Sequence, residues 1–72
     1  MSTTLLDRLS PRELQVLAHM AEGRSNRSIG EHLHVELKTV ETHVSRVFTK
    51  LGLDEDRHGN RRVLAVLTFL GR

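Results

Sequence analysis

Cysteine, tryptophan and tyrosine are absent from this chain of 72 residues, proline occurs once, and phenylalanine twice. Without cysteine there is no disulfide and no thiolate metal site, which is compatible with a reducing cytoplasm. No apolar run approaches the roughly 20 residues that span a bilayer. The first ten residues, Met1 to Ser10, lack a basic start followed by an apolar stretch and so do not form a signal peptide. So short a chain makes one domain and buries only about 60% of the surface its unfolded form exposes. An apolar share of 38% gives it a small core, with little room for a deep catalytic cleft. Neither a Ser-His-Asp set nor a Gly-rich phosphate loop is evident. Five histidines are present, but His32 and His34 stand two apart, on different helix faces, and His19, His43 and His58 are distant in sequence. No metal-ligand spacing results. His43 is expected to pack at a helix flank and bond the backbone. The expectation is a protein that is not an enzyme and holds no cofactor and no metal.

What is present centres on residues 37 to 51. At about 100° per residue, Leu37, Val40, Val44, Val47, Phe48 and Leu51 fall on one face, a stripe able to dock on a core. Lys38, Thr42, Ser45, Arg46 and Thr49 fall opposite; Thr39, His43 and Lys50 line one flank and Glu41 the other. The outer face carries three hydroxyl residues, which are mediocre helix formers. Short hydroxyls beside Lys and Arg suit close contact with a polar, anionic surface, and a helix of this size fits the major groove of DNA. A solvated face that happens to be rich in threonine is the plain alternative. The formal charge is only +2 with a sequence pI of about 9.9, so distribution matters more than total. Lys38, Arg46 and Lys50 stand against Glu41 alone in this helix, whereas Asp54, Glu55 and Asp56 collect acid elsewhere.

Residues 1 to 8 have little pattern and read as a flexible lead-in to a domain over 9–72. A helix from 11 to about 22 is announced by Ser10 as cap, Pro11 at the first position, and Glu13 completing a capping box. Leu9 and Leu14 hold the positions of a hydrophobic staple. Its expected inward residues are Leu14, Leu17, Ala18 and Ala21, and Gly23 ends it in a left-handed conformation. Ser25 can cap a second helix, 26 to about 33, with Ile29 and Leu33 buried. Gly30 costs about 1 kcal/mol there relative to Ala, which points to close approach of another backbone. A three-residue connection, His34 to Glu36, makes a helix-turn-helix, with Val35 plugging the corner and Glu36 a poor cap. Gly52 ends the third helix, and a polar loop runs from Leu53, tucked inward, to Asn60. The last helix spans about 61 to 70, with Val63, Val66, Leu67 and Leu70 expected inward. Ala65 and Phe69 fall near the opposite side beside Arg62, so Ala65, Val66 and Phe69 are the expected dimer contact.

Taken together, Leu9-Ser10-Pro11-Arg12-Glu13, Gly23, Ser25-Asn26, Ile29, Lys38-Thr39-Val40-Glu41-Thr42-His43-Val44 and Lys50-Leu51-Gly52 resemble the LuxR-type helix-turn-helix domain. That domain is also the output module of NarL/FixJ response regulators. The likeness is close over 9–53 and looser to 70. It implies an all-α, four-helix (tetrahelical) DNA-binding fold, the third helix in the major groove and the fourth pairing subunits. By resemblance, Lys38, Glu41, Thr42 and Ser45 face bases, while Ser25, Asn26, Thr39, Arg46 and Lys50 meet phosphates. Phosphate contacts fix register and base contacts discriminate sequence. The chain departs from common members at Ser28, Gly30 and Glu36 and in its long acidic loop.

The expected function is sequence-specific binding of double-stranded DNA in transcription regulation, as a homodimer on an inverted repeat. Cytoplasmic, nucleoid-associated location and RNA polymerase as a further partner go with it. The competing reading is a protein-interaction module that kept the fold without the DNA contacts.

Overall fold

A computed structural model describes residues 5–54 and 59–71. In chain order it contains a short 3-10 turn, Leu5–Arg8, then α1 (Pro11–Ala21), α2 (Asn26–Leu33), α3 (Leu37–Lys50) and α4 (Arg61–Phe69). The described residues hold no strand, so the fold is all-α with four helices. None of these helices is long and apolar enough to cross a membrane. Residues 1–4, most of the acidic run after Asp54, and His58 lie outside the described residues.

Local chemistry sets each helix start. Ser10 Oγ accepts the Glu13 N–H at 3.1 Å and Glu13 Oε1 accepts the Ser10 N–H at 2.8 Å, a complete capping box ahead of Pro11. Ser25 Oγ accepts the Ser28 N–H at 3.1 Å but receives no reciprocal bond, because Ser28 is too short to reach back. Glu36 makes no side-chain cap bond. Asn60 caps α4 through its Oδ1, which accepts the Val63 N–H at 3.1 Å. Gly23 and Gly52 close α1 and α3 at φ of 84° and 72°, the left-handed region in which a Cβ is strained.

The core joins Val16, Leu17 and Met20 of α1, Ile29 of α2, Val40, Val44, Val47 and Phe48 of α3, then Leu51 and Ala65. Full burial of each larger side chain stabilises by about 1.5–3 kcal/mol. α1 packs against both α3 and α4, and α2 leans chiefly on α3. Leu6 and Leu9 pack on this core from the N-terminal side, and the 3-10 turn touches α4, where the sequence offered no pattern.

The helix-turn-helix corner is tight. His34 takes φ 58° and its N–H bonds the Gly30 carbonyl; Val35 N–H reaches the same oxygen at 3.0 Å. A Cβ on Gly30 would stand 2.8 Å from the Val35 carbonyl oxygen. The close backbone approach expected at Gly30 is therefore the turn itself.

Three inward stripes differ from the sequence expectation. In α1 the buried residues are Glu13, Val16, Leu17 and Met20, while Leu14 is exposed and Ala18 and Ala21 are only half-buried. In α3 Leu37 is exposed although the rest of its stripe is buried. In α4 the expected faces are exchanged except at Val66, which packs inward as expected. Ala65 is fully enclosed, with Val66 and Phe69 packed on the core, whereas Val63, Leu67 and Leu70 are exposed. Of the expected dimer contact at Ala65, Val66 and Phe69, Ala65 is therefore closed to a second subunit by the monomer's own core, while Val66 and Phe69 stay half-buried. In α1 and α4 the reason is a charged residue on the misread stripe, Glu13 and Arg62 respectively, that finds a partner far along the chain; Leu37 is exposed at the first position of α3.

Candidate nucleic-acid interface

Helix α3 buries Val40, Val44, Val47 and Phe48 beneath and leaves Lys38, Thr39, Glu41, Thr42, Ser45, Arg46 and Thr49 exposed. The buried stripe fixes the rotation of the helix, and so fixes which residues face outward. Thr42 Oγ1 donates to the Lys38 carbonyl at 3.1 Å, which orients the hydroxyl and leaves its lone pairs outward as acceptors. Because Glu36 makes no cap bond, the first N–H groups of α3 keep the positive end of the helix dipole uncapped by a side chain.

Lys50 is placed differently from a simple phosphate contact. Its Nζ donates to Glu13 Oε1 at 2.7 Å, tying the end of α3 to the start of α1. One of its three ammonium donors is committed there. Glu13 is the buried charged residue of the described chain. Burial alone raises the pKa of its carboxyl, but the hydrogen bonds from Lys50 and the Ser10 backbone, with the ammonium charge, bring it below the ordinary value.

Asn26 opens α2 with a side chain that is also engaged. Arg62 Nη1 donates to Asn26 Oδ1 at 2.8 Å and its Nη2 to the Arg24 carbonyl. A guanidinium only donates, so the amide oxygen faces Arg62 and the amide NH2 is left for another acceptor. Burial lowers the Arg62 pKa. Ser25 is exposed but its Oγ serves the cap. The base-facing set and Thr39 with Arg46 therefore share one exposed surface, while Ser25, Asn26 and Lys50 each hold an internal bond as well.

Three arginines take places that the sequence pattern does not assign. The helical wheel sets Arg62 outward, yet the apolar i+3, i+4 and i+7 positions after it, Ala65, Val66 and Phe69, mark its face as the inner one. Arg27, exposed on the first turn of α2, is marked only by its place beside Asn26. Arg61 lies over the Phe48 ring at 4.7 Å, a cation–π contact that covers the aromatic edge of α3.

The histidines also differ from expectation. His43 does not bond the backbone: its Nδ1 is buried without a hydrogen-bond partner. His19 and His32, far apart in sequence, bring their rings to 5.5 Å. No group of three or more His, Asp or Glu able to hold a metal occurs among the described residues.

A family model described as bacterial regulatory proteins, luxR family, matches residues 7–67. The chain is 43% identical over 47 residues to the transcriptional regulatory protein LiaR of Bacillus subtilis (strain 168), an overlap of 65% of this chain and 22% of that protein. It is 51% identical over 45 residues to the oxygen regulatory protein NreC of Staphylococcus aureus (strain JH9), covering 62% of this chain and 21% of that one. The chain thus spans about a fifth of the length of these curated relatives. No solved structure matches it.

Proposed function

The chain belongs to the LuxR family of bacterial regulatory proteins, DNA-binding transcription regulators rather than enzymes, and on that premise we propose that α3 reads the major groove of double-stranded DNA. The exposed outer face of α3 carries the proposal: hydroxyls, two cations and one carboxylate on a helix whose rotation the core has fixed. Lys38, Glu41, Thr42 and Ser45 face base edges, where lysine suits guanine and a carboxylate suits the cytosine amino group. Thr39, Arg46 and the NH2 of Asn26 meet phosphates, with Ser25 beside them. Lys50 reaches a phosphate with the donors that Glu13 leaves, its side chain being 39% exposed.

A single module buries about 600–1,000 Å² on DNA and binds weakly alone, so pairing matters. We place the pairing surface on the exposed stripe Val63, Leu67 and Leu70, in place of the enclosed Ala65. A two-fold pair sets two α3 helices about one DNA turn apart, and the operator is then an inverted repeat. The module acts either as the output domain of a response regulator or as a free-standing small regulator.

Selection of binding sites from random duplex DNA tests this directly, because it returns the motif, its symmetry and its spacing together. The expected result is an inverted repeat; enrichment of no motif sinks the reading and favours a protein-interaction module. Arg46→Ala should weaken binding to all duplexes and reduce the log K against log salt slope by about one. Changes at Thr42 or Ser45 should instead alter which motif is selected.

A further inference from the structure

We infer that His43 is a further DNA-contacting residue, donating its Nε2–H as a neutral imidazole to a backbone phosphate; this rests on the DNA-binding reading above. His43 lies on the flank of α3 between Thr39 and Lys50, at helical spacings of four and seven residues. Its side chain is half-buried. The ring divides sharply. Nδ1 is sealed from solvent and has no partner, so the exposed part of this half-buried side chain lies away from Nδ1, on the side of the ring that carries Nε2.

That division selects a tautomer. A neutral imidazole has one N–H and one lone pair, and the cation has two N–H groups. Orphaned buried N–H groups are rarer than under-satisfied acceptors. A proton on Nδ1, in the other tautomer or in the cation, would put an N–H against protein with no acceptor. The arrangement is met best when Nδ1 keeps its lone pair and Nε2 carries the hydrogen. The outward atom is then an uncharged donor, rigidly held by a ring anchored in the protein, on the flank that also carries Thr39 and Lys50. Its natural acceptor is a phosphate oxygen rather than a base edge, because the base-facing residues Thr42 and Ser45 lie on the adjoining face. An uncharged donor releases no counterion, so it adds affinity without adding to the salt dependence.

The test compares His43→Leu and His43→Gln with the native chain, by fluorescence anisotropy on a short random-sequence duplex over a salt series and by thermal melting. Leucine keeps the packing and removes the donor; glutamine offers an amide donor but packs less well. The expected outcome is opposite orders: the leucine variant melts higher, while the glutamine variant binds DNA more tightly. The leucine variant should lose about tenfold in affinity, the weight of one hydrogen bond to a charged group, with an unchanged salt slope. Should either variant fail to fold, long-range ¹⁵N spectra of the native imidazole decide, showing Nε2 protonated and Nδ1 bare with and without DNA. A protonated Nδ1, native affinity in the leucine variant, or a slope reduced by one would each overturn the proposal. Absence of any binding by the native chain at low salt would overturn the DNA-binding reading itself and this inference with it.

Discussion

Glu13 joins two tasks in one carboxylate. It completes the capping box of α1 and receives Lys50 from the end of α3. Removing one member of such a pair strands the other, and Glu13 is only 3% exposed. Lys50→Met should therefore destabilise by about 2–3 kcal/mol, somewhat under the range for a fully buried pair because Lys50 reaches solvent. Chemical denaturation at neutral pH checks this. The pH dependence follows from the sign of the shift. The folded carboxyl lies below its ordinary value of 4.5, so its contribution is fully present above that pH. It is lost as pH falls through the lower folded value. Glu13→Gln should flatten the acid-side loss of stability in that window, and an unchanged acid limb in the variant would argue against the pair.

At the scale of elements, the helix-turn-helix angle is set where α2 meets its turn. Gly30 lets the Val35 carbonyl approach, and a methyl there would stand 2.8 Å from that oxygen. Gly30→Ala should gain about 1 kcal/mol of helix propensity yet lose more, since backbone must shift and overpacking costs about 1–3 kcal/mol. We expect net destabilisation of about 1–2 kcal/mol, together with weaker DNA binding as α3 is displaced. Melting and anisotropy on one sample would show both; a stabilised variant with native affinity would mean that the corner yields freely. The sequence pointed to this site through a glycine in mid-helix, but not to the oxygen responsible. That oxygen belongs to a turn whose path depends on His34 adopting a positive φ.

At the scale of the whole molecule, the pairing proposed above rests on the exposed stripe of α4. Val63, Leu67 and Leu70 are 52%, 38% and 53% exposed, apolar area that a partner subunit would cover. The double change Leu67→Glu with Leu70→Glu should leave the fold intact, since both side chains already meet solvent. It should abolish pairing in sedimentation and weaken binding to an inverted repeat much more than to a single half-site. A variant that still sediments as a dimer would move the pairing surface elsewhere.

The sequence by itself determined the helix starts, the left-handed Gly23 and the stop at Gly52, the outer face of α3 and the family. Each rests on neighbours within about four residues or on a buried stripe free of charge. Only the tertiary structure decided the inner faces of α1 and α4. Both helices carry two candidate stripes at the same spacing, and local periodicity cannot rank them. Glu13 and Arg62 made the correct stripes look outward, because an unpaired buried charge is costly. Their partners, Lys50 and Asn26, stand 37 and 36 residues away. A charge can turn inward once the folded chain delivers its counterpart, and that delivery is not written at the position itself.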